Sequence, residues 1–195
     1  MNKLILASAS QRRKELLQQI GVYFSCMPMD IDETSLVGEN AESYVLRLAE
    51  QKALAALPKS NGLPVLGSDT CVVLDEVIMG KPENEQDAIN MLKRLSGRSH
   101  VVKTAVAVCC ETNSKIQLCS EVVETEVSFS ELSDAQILNY VKSGEPMDKA
   151  GAYGIQGRAA VFVNSINGSY SNVVGLPLAQ TAQLLDKMGI EVWQY

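Results

Sequence analysis

The chain has 195 residues, 46% of them hydrophobic and 21% charged, which suits a soluble globular protein with one substantial core or two closely joined lobes. A formal net charge of −6 argues against broad binding to DNA, RNA or anionic membranes, while leaving room for a small anion held by a local cluster of Arg and Lys. No apolar run approaches the roughly 20 residues that span a bilayer, and Met1-Asn2-Lys3 leads straight into a strand, so no signal peptide is read.

In chain order, a strand at 3–7 runs through Ser8 and Ser10 into a helix at 11–20. Ser10 is a natural N-cap, Leu16, Leu17 and Ile20 share one face, and Gly21 stands at the C-terminal end. Arg12 and Arg13 lie in the first turn, where a cation opposes the macrodipole at a cost of about 0.3–1 kcal/mol. Either they are solvated surface charges, or their guanidinium forks join the free backbone N–H groups in holding a strongly anionic ligand. A strand at 22–27 follows, then a loop carrying Asp30, Asp32 and Glu33. The next helix, 40–57, is capped by Asn40 and buries Val45, Leu48, Ala49, Ala53 and Ala56. Lys52 falls inside that stripe, while Arg47, Glu50 and Gln51 fall outside it. An inward lysine either snorkels to the edge of the core or aims its ammonium at a phosphate.

Strands at 64–68 and 70–74 flank Asp69 in Gly67-Ser68-Asp69-Thr70. A carboxylate between two apolar runs is either a turn residue or a functional group: a general base, or a ligand for a hard cation. With Glu33 it supplies the one or two carboxylates that Mg²⁺ takes when phosphates and water fill the rest. Cys71 excludes an Asp-x-Asp phosphoesterase nucleophile. Lys81, in Gly80-Lys81-Pro82, reads alone as an ordinary extended loop lysine.

A helix at 84–96 leads to two long β segments, 99–110 and 116–130, joined by a turn at 111–114. His100, the single histidine, reads as structural and removes most zinc-hydrolase and Ser-His-Asp chemistry. The five cysteines (Cys26, Cys71, Cys109, Cys110, Cys119) are odd in number and form no C-x-x-C, which fits buried free thiols in a reducing cytosol. A helix at 133–143 follows Ser133 as cap. The loop 151–157 is rich in small residues and carries Gln156, which either faces water or matches the adjacent donor and acceptor of a uracil or thymine edge. A strand at 159–165 and a helix at 177–188, with Pro177 in its first turn, complete the chain. No P-loop pattern occurs. This order indicates an α/β or α+β architecture with a long mixed sheet, in which the two long strands can carry a second lobe and leave a cleft.

The segments Ala7-Ser8-Ala9-Ser10-Gln11-Arg12-Arg13, Asp32-Glu33, Arg47-Leu48-Ala49-Glu50-Gln51-Lys52-Ala53, Gly67-Ser68-Asp69-Thr70, Gly80-Lys81-Pro82 and Lys149 to Gly157 together resemble the Maf family of nucleoside-triphosphate pyrophosphatases. The resemblance runs from Leu4 to Pro177, with one departure: Gln11 stands where the family commonly has proline. It implies a single two-lobed Maf/ITPase-like α/β domain over 1–195, usually dimeric, with a substrate cleft. It also implies hydrolysis of a nucleoside triphosphate to its monophosphate and pyrophosphate with a divalent metal, Mg²⁺ or Mn²⁺. By position, Asp69 takes the catalytic role, Ser8, Arg13, Lys52 and Lys81 hold phosphates, and Glu33 with Asp69 places the metal. Arg12, Thr70 and Gln156 match the branch acting on dTTP and UTP, whereas the 7-methyl-GTP branch carries an acid where Gln156 stands. The expectation is therefore a cytoplasmic, homodimeric pyrimidine nucleoside-triphosphate pyrophosphatase that binds neither nucleic acid nor membrane. The competing expectation is a non-catalytic nucleotide-binding regulator of septum formation.

Overall fold

The computed structural model describes residues 3–194. Leu4, Ile5 and Leu6 are all buried and form β1 (Leu4–Leu6), as a continuous apolar run does in a strand covered on both faces. It pairs in parallel with β2 (Phe24–Cys26) and with the start of β3 (Val65–Leu74), so helical crossovers are required. These are α1 (Gln11–Gln19) and α2 (Ala41–Ala56). Ser10 Oγ accepts the Arg13 N–H at 3.4 Å, and Asn40 Oδ1 accepts the Ser43 N–H at 2.8 Å, so each helix starts on its expected cap.

Beyond β3 come β4 (Val77–Met79), α3 (Glu85–Leu95), β5 (Ser99–Thr112), β6 (Lys115–Phe129), α4 (Asp134–Val141), β7 (Val163–Asn167), α5 (Tyr170–Val174) and α6 (Leu178–Lys187). Short 3₁₀ turns occupy Leu57–Lys59, Glu145–Asp148, Ala150–Ala152 and Arg158–Phe162. The strands form one mixed sheet in the order β2-β1-β3-β5-β6-β7, with β4 antiparallel on β3 and β7 antiparallel on β6.

Contacts divide the chain into two compact units. The first comprises residues up to Asp69, Thr104–Val123 and those from Gly175 onward; it buries Leu4, Leu6, Leu17, Leu48, Leu66 and Leu184. The second comprises Thr70–Lys103 and Glu124–Val174. Its core holds an edge-to-face aromatic cluster in which the Phe129 ring lies 5.0 Å from His100, 4.8 Å from Tyr153 and 6.2 Å from Phe162. No helix among the described residues is long and apolar enough to cross a membrane.

Four expectations are corrected. The break at Asp69 is absent: β3 runs unbroken from Val65 to Leu74, because Ser68 and Asp69 both find partners from within the sheet-forming conformation. The strand expected at 159–165 is a 3₁₀ turn followed by β7; the buried residues Ala159 and Phe162 are three apart, the period of that turn. Of the thiols expected to be buried, Cys26 is exposed and Cys110 and Cys119 are half-buried. The expected turn at 111–114 shrinks to Asn113 and Ser114, both with positive φ, which suits a two-residue hairpin connection; Asp75 and Glu76 make the same turn between β3 and β4.

Candidate active site

Gly67 decides how the first unit builds its charged centre. A Cβ there would lie 2.2 Å from the Ala49 carbonyl oxygen and 2.7 Å from the Ala53 nitrogen. Only a bare backbone lets β3 approach α2 so closely. Lys52 occupies the same turn of α2, and Asp69 lies two residues further along β3. Their side chains meet at 2.6 Å, Nζ to Oδ1, with Lys52 9% and Asp69 8% exposed. The same ammonium lies 2.6 Å from Glu33 Oε1, whose side chain is 49% exposed. One cation thus draws two carboxylates to a single point, one inner and one outer.

Glu33 reaches this point from a loop fastened to α2. Tyr44 OH donates to the Glu33 carbonyl at 3.0 Å, and Arg47 Nη2 donates to the Thr34 carbonyl at 3.1 Å. Arg47 also grips Glu39 with two bonds, Nε to Oε1 at 2.6 Å and Nη2 to Oε2 at 2.7 Å. These bonds hold the Glu39 carboxyl down at about 2. Tyr44 and Glu39 were not singled out from the sequence, and Arg47 only as a residue outside the apolar stripe and a part of the family segment. Each of these contacts joins α2 to an irregular loop, so no helical or strand spacing advertises them.

A second group gathers where β1 ends. Ser8 Oγ accepts the Ser10 N–H at 3.2 Å and an Arg13 Nη1 hydrogen at 3.3 Å. Arg13 Nε donates to the Gly175 carbonyl at 2.8 Å, and Ser68 Oγ donates to the same oxygen at 3.1 Å. Burial pushes the Arg13 guanidinium below its ordinary value; the Asp69 charge opposes that shift, Arg12 adds to it and Glu33 opposes it again. Arg13 therefore shares an electrostatic neighbourhood with both acids. Gly175, whose carbonyl ties Arg13 to β3, carried no signal beyond its place at the end of the resemblance.

Thr70, Lys81 and Gln156 belong to the second unit. Thr70 is half-buried next to Asp69 on β3, and alternation along the strand turns the two side chains to opposite faces. Lys81 and Gln156 are exposed on separate loops, which are joined where the Gly151 N–H donates to the Gly80 carbonyl at 3.0 Å. Arg12 is half-buried on α1 beside Arg13.

Among the described residues no three His, Cys, Asp or Glu side chains converge as a ready metal cage. Glu33 and Asp69 are nonetheless two hard oxygen donors already assembled around a positive charge. That donor set fits a small divalent cation completing its shell with phosphate and water.

A mixed-sheet α/β protein with an acid–ammonium–acid centre beside a serine–arginine pair is the class these elements define. The model of the family described as Maf-like protein matches residues 3–188, and the chain belongs to that family. A Shewanella sp. (strain MR-7) protein named dTTP/UTP pyrophosphatase is 53% identical over 96% of this chain and 98% of its own. Proteins of the same name from Colwellia psychrerythraea and Saccharophagus degradans are 53% and 48% identical, covering 96% and 98% of this chain and 89% and 91% of theirs. A solved Staphylococcus aureus Ham1 protein aligns with a TM-score of 0.38 at 15% identity, over 64% of this chain and 71% of that one, which is too distant to bear on the assignment.

Proposed function

We propose that this chain hydrolyses dTTP and UTP to the nucleoside monophosphate and pyrophosphate. The observation that carries the reading is Lys52 held between Glu33 and Asp69, a centre whose two acids go beyond what phosphate binding alone requires. The relatives named dTTP/UTP pyrophosphatase, aligned along nearly the whole chain, support the substrate class. Gln156 supports a pyrimidine base, because an amide donates and accepts at once.

Phosphoryl transfer asks mainly for positioning and charge neutralisation. Asp69 takes the proton of the attacking water; Lys52, bonded to Oδ1, keeps that carboxylate oriented toward it. The water oxygen bonds to phosphorus as the P–O bond bridging the α- and β-phosphates breaks, the departing phosphate oxygen keeps the electron pair, and the products are the monophosphate and pyrophosphate. Ser8, Arg13, Lys52 and Lys81 hold the phosphate chain, with Arg13 preorganised by its bond to Gly175. Arg12 and Thr70 join Gln156 in selecting the nucleotide. Glu33 and Asp69 would hold a divalent cation, magnesium or manganese, which supplies charge neutralisation and a more acidic water. The reading extends to a cytoplasmic homodimer, in keeping with the family resemblance and five free thiols.

Replacing Gln156 by Glu tests the base assignment. Loss of the amide donor is expected to lower kcat/KM for UTP by about 10-fold or more, narrowing the UTP/GTP ratio. Chromatography of the products is expected to show UMP and pyrophosphate. An unchanged ratio removes Gln156 from base recognition, and UDP with free phosphate as the products overturns the reaction assignment.

A further inference from the structure

We infer that Glu145 is a positioning residue for base selection, clamping the turn that presents Gln156. The inference rests on the proposed role of Gln156 and concerns a residue outside the family segments read above.

Glu145 opens the 3₁₀ turn Glu145–Asp148, just after α4. Its Oε2 accepts the Arg158 N–H at 3.1 Å, and its Oε1 accepts the Tyr140 hydroxyl hydrogen at 3.1 Å. A Cβ on Gly157 would lie 2.1 Å from Oε1 and 2.8 Å from Oε2, so the carboxylate rests directly against the backbone following Gln156. The other side of the turn is held through the same partners. Tyr140 Oη accepts the Gly154 N–H at 3.3 Å, and Lys149 Nζ donates to the Glu145 carbonyl at 2.7 Å. The Lys149 chain fills the space beside Gly154, where a Cβ would meet Cε at 2.6 Å. The Gly157 N–H closes the turn on the Gly154 carbonyl at 3.0 Å. Residues 154, 157 and 158 are therefore all fixed to Glu145 or to a group bonded to it, while Gln156 between them is exposed.

A charged acceptor suits this place because an N–H and an O–H both point at it. Two small residues are needed because the clamp occupies the volume that their side chains would fill. Hydrogen-bond readout of a base fails when the reading group is displaced by about an ångström, so the clamp acts on selectivity through Gln156.

The test is a double-mutant cycle on wild type, Glu145→Ala, Gln156→Ala and the double variant, measuring kcat/KM for UTP and GTP. Glu145→Ala is expected to lower kcat/KM for UTP by about 10-fold, chiefly through KM, and that for GTP by less than about 2-fold. In the Gln156→Ala background the same change is expected to alter the UTP value by less than about 2-fold. Glu145→Gln keeps one acceptor for the Arg158 N–H and can donate to Tyr140 Oη, so it is expected to restore the UTP/GTP ratio to within about 3-fold of wild type. It also serves as the folded comparison should the alanine variant prove unstable. Equal losses for UTP and GTP, or effects that multiply in the double variant, overturn the inference and leave the proposed function standing. An unaltered ratio in Gln156→Ala alone overturns the inference together with the base-reading role of Gln156, and leaves the hydrolysis itself to be judged by its products.

Discussion

Lys52 is the polar member of an otherwise apolar buried stripe on α2, and its ammonium is the counterion of two carboxylates. An unpaired charge at Asp69, 8% exposed, would be costly to keep, so removing the lysine has consequences for the acids as well as for any phosphate. Lys52→Met is expected to destabilise the protein by roughly 2–4 kcal/mol, because two like charges are left facing each other. Millimolar Mg²⁺ is then expected to raise the Tm of this variant more than that of wild type, since the cation replaces the missing charge. Thermal melts with and without Mg²⁺ check this; equal shifts in the two proteins would separate Glu33 and Asp69 from metal binding.

The elements that carry these residues depend on backbone approach more than on side-chain size. Gly67→Ala would set a methyl group 2.2 Å from the Ala49 carbonyl oxygen, and β3 can yield only by moving off α2. A loss of about 2–4 kcal/mol in urea denaturation is expected, together with loss of turnover as Asp69 leaves Lys52. A stable and active Gly67→Ala protein would contradict the packing argument. This contact also marks what a sequence discloses. Ser10 announces α1 by its capping chemistry, and Asn40 with the stripe from Val45 to Ala56 announces α2 by cap and period, and so places Lys52 inward. Asp69 stood out as a carboxylate between two apolar runs, but reading it as a strand break was wrong: β3 runs through it, and its partner lies 17 positions away. Tyr44 holds Glu33, and Glu145 holds the Gln156 turn, through bonds to loop backbone that no periodicity encodes, while Glu39 ties the first of these loops to the Arg47 side chain. The run at 159–165 misled for a different reason: Ala-Ala-Val-Phe-Val reads as a strand, yet Ala159 and Phe162 bury themselves with the spacing of a 3₁₀ turn.

The stability of the folded chain is expected to respond to pH through His100. This imidazole is 2% exposed, and its Nε2 lies 2.7 Å from the Tyr153 hydroxyl. Nδ1 has no acceptor for the proton that the imidazolium would carry. Burial lowers its pKa from 6.5 to about 4. Between those values the unfolded chain binds a proton that the folded one refuses, so stability rises with pH across this window and is lost as pH falls through it. The full effect is on the order of 3 kcal/mol. Glu39, held down at about 2 by Arg47, acts further toward acid: its contribution is complete above 4.5 and fades as pH falls toward 2. Urea midpoints from pH 7 to pH 4 are expected to decline in wild type and to flatten in His100→Gln; parallel slopes in the two would remove His100 as the cause.

In the proposed mechanism Asp69, with Lys52 and Glu33 around it, turns a nucleotide-binding protein into a hydrolase. The most direct test of that mechanism is pyrophosphate release from dTTP and UTP with Mg²⁺, comparing wild type with Asp69→Asn, alongside UTP binding by both. The expected result is rapid release by wild type, a loss of about 10³-fold or more in the variant, and UTP binding retained by both. Near-normal release by Asp69→Asn would contradict the mechanism. Tight UTP binding with no release by wild type would make the protein a nucleotide-binding regulator instead of an enzyme.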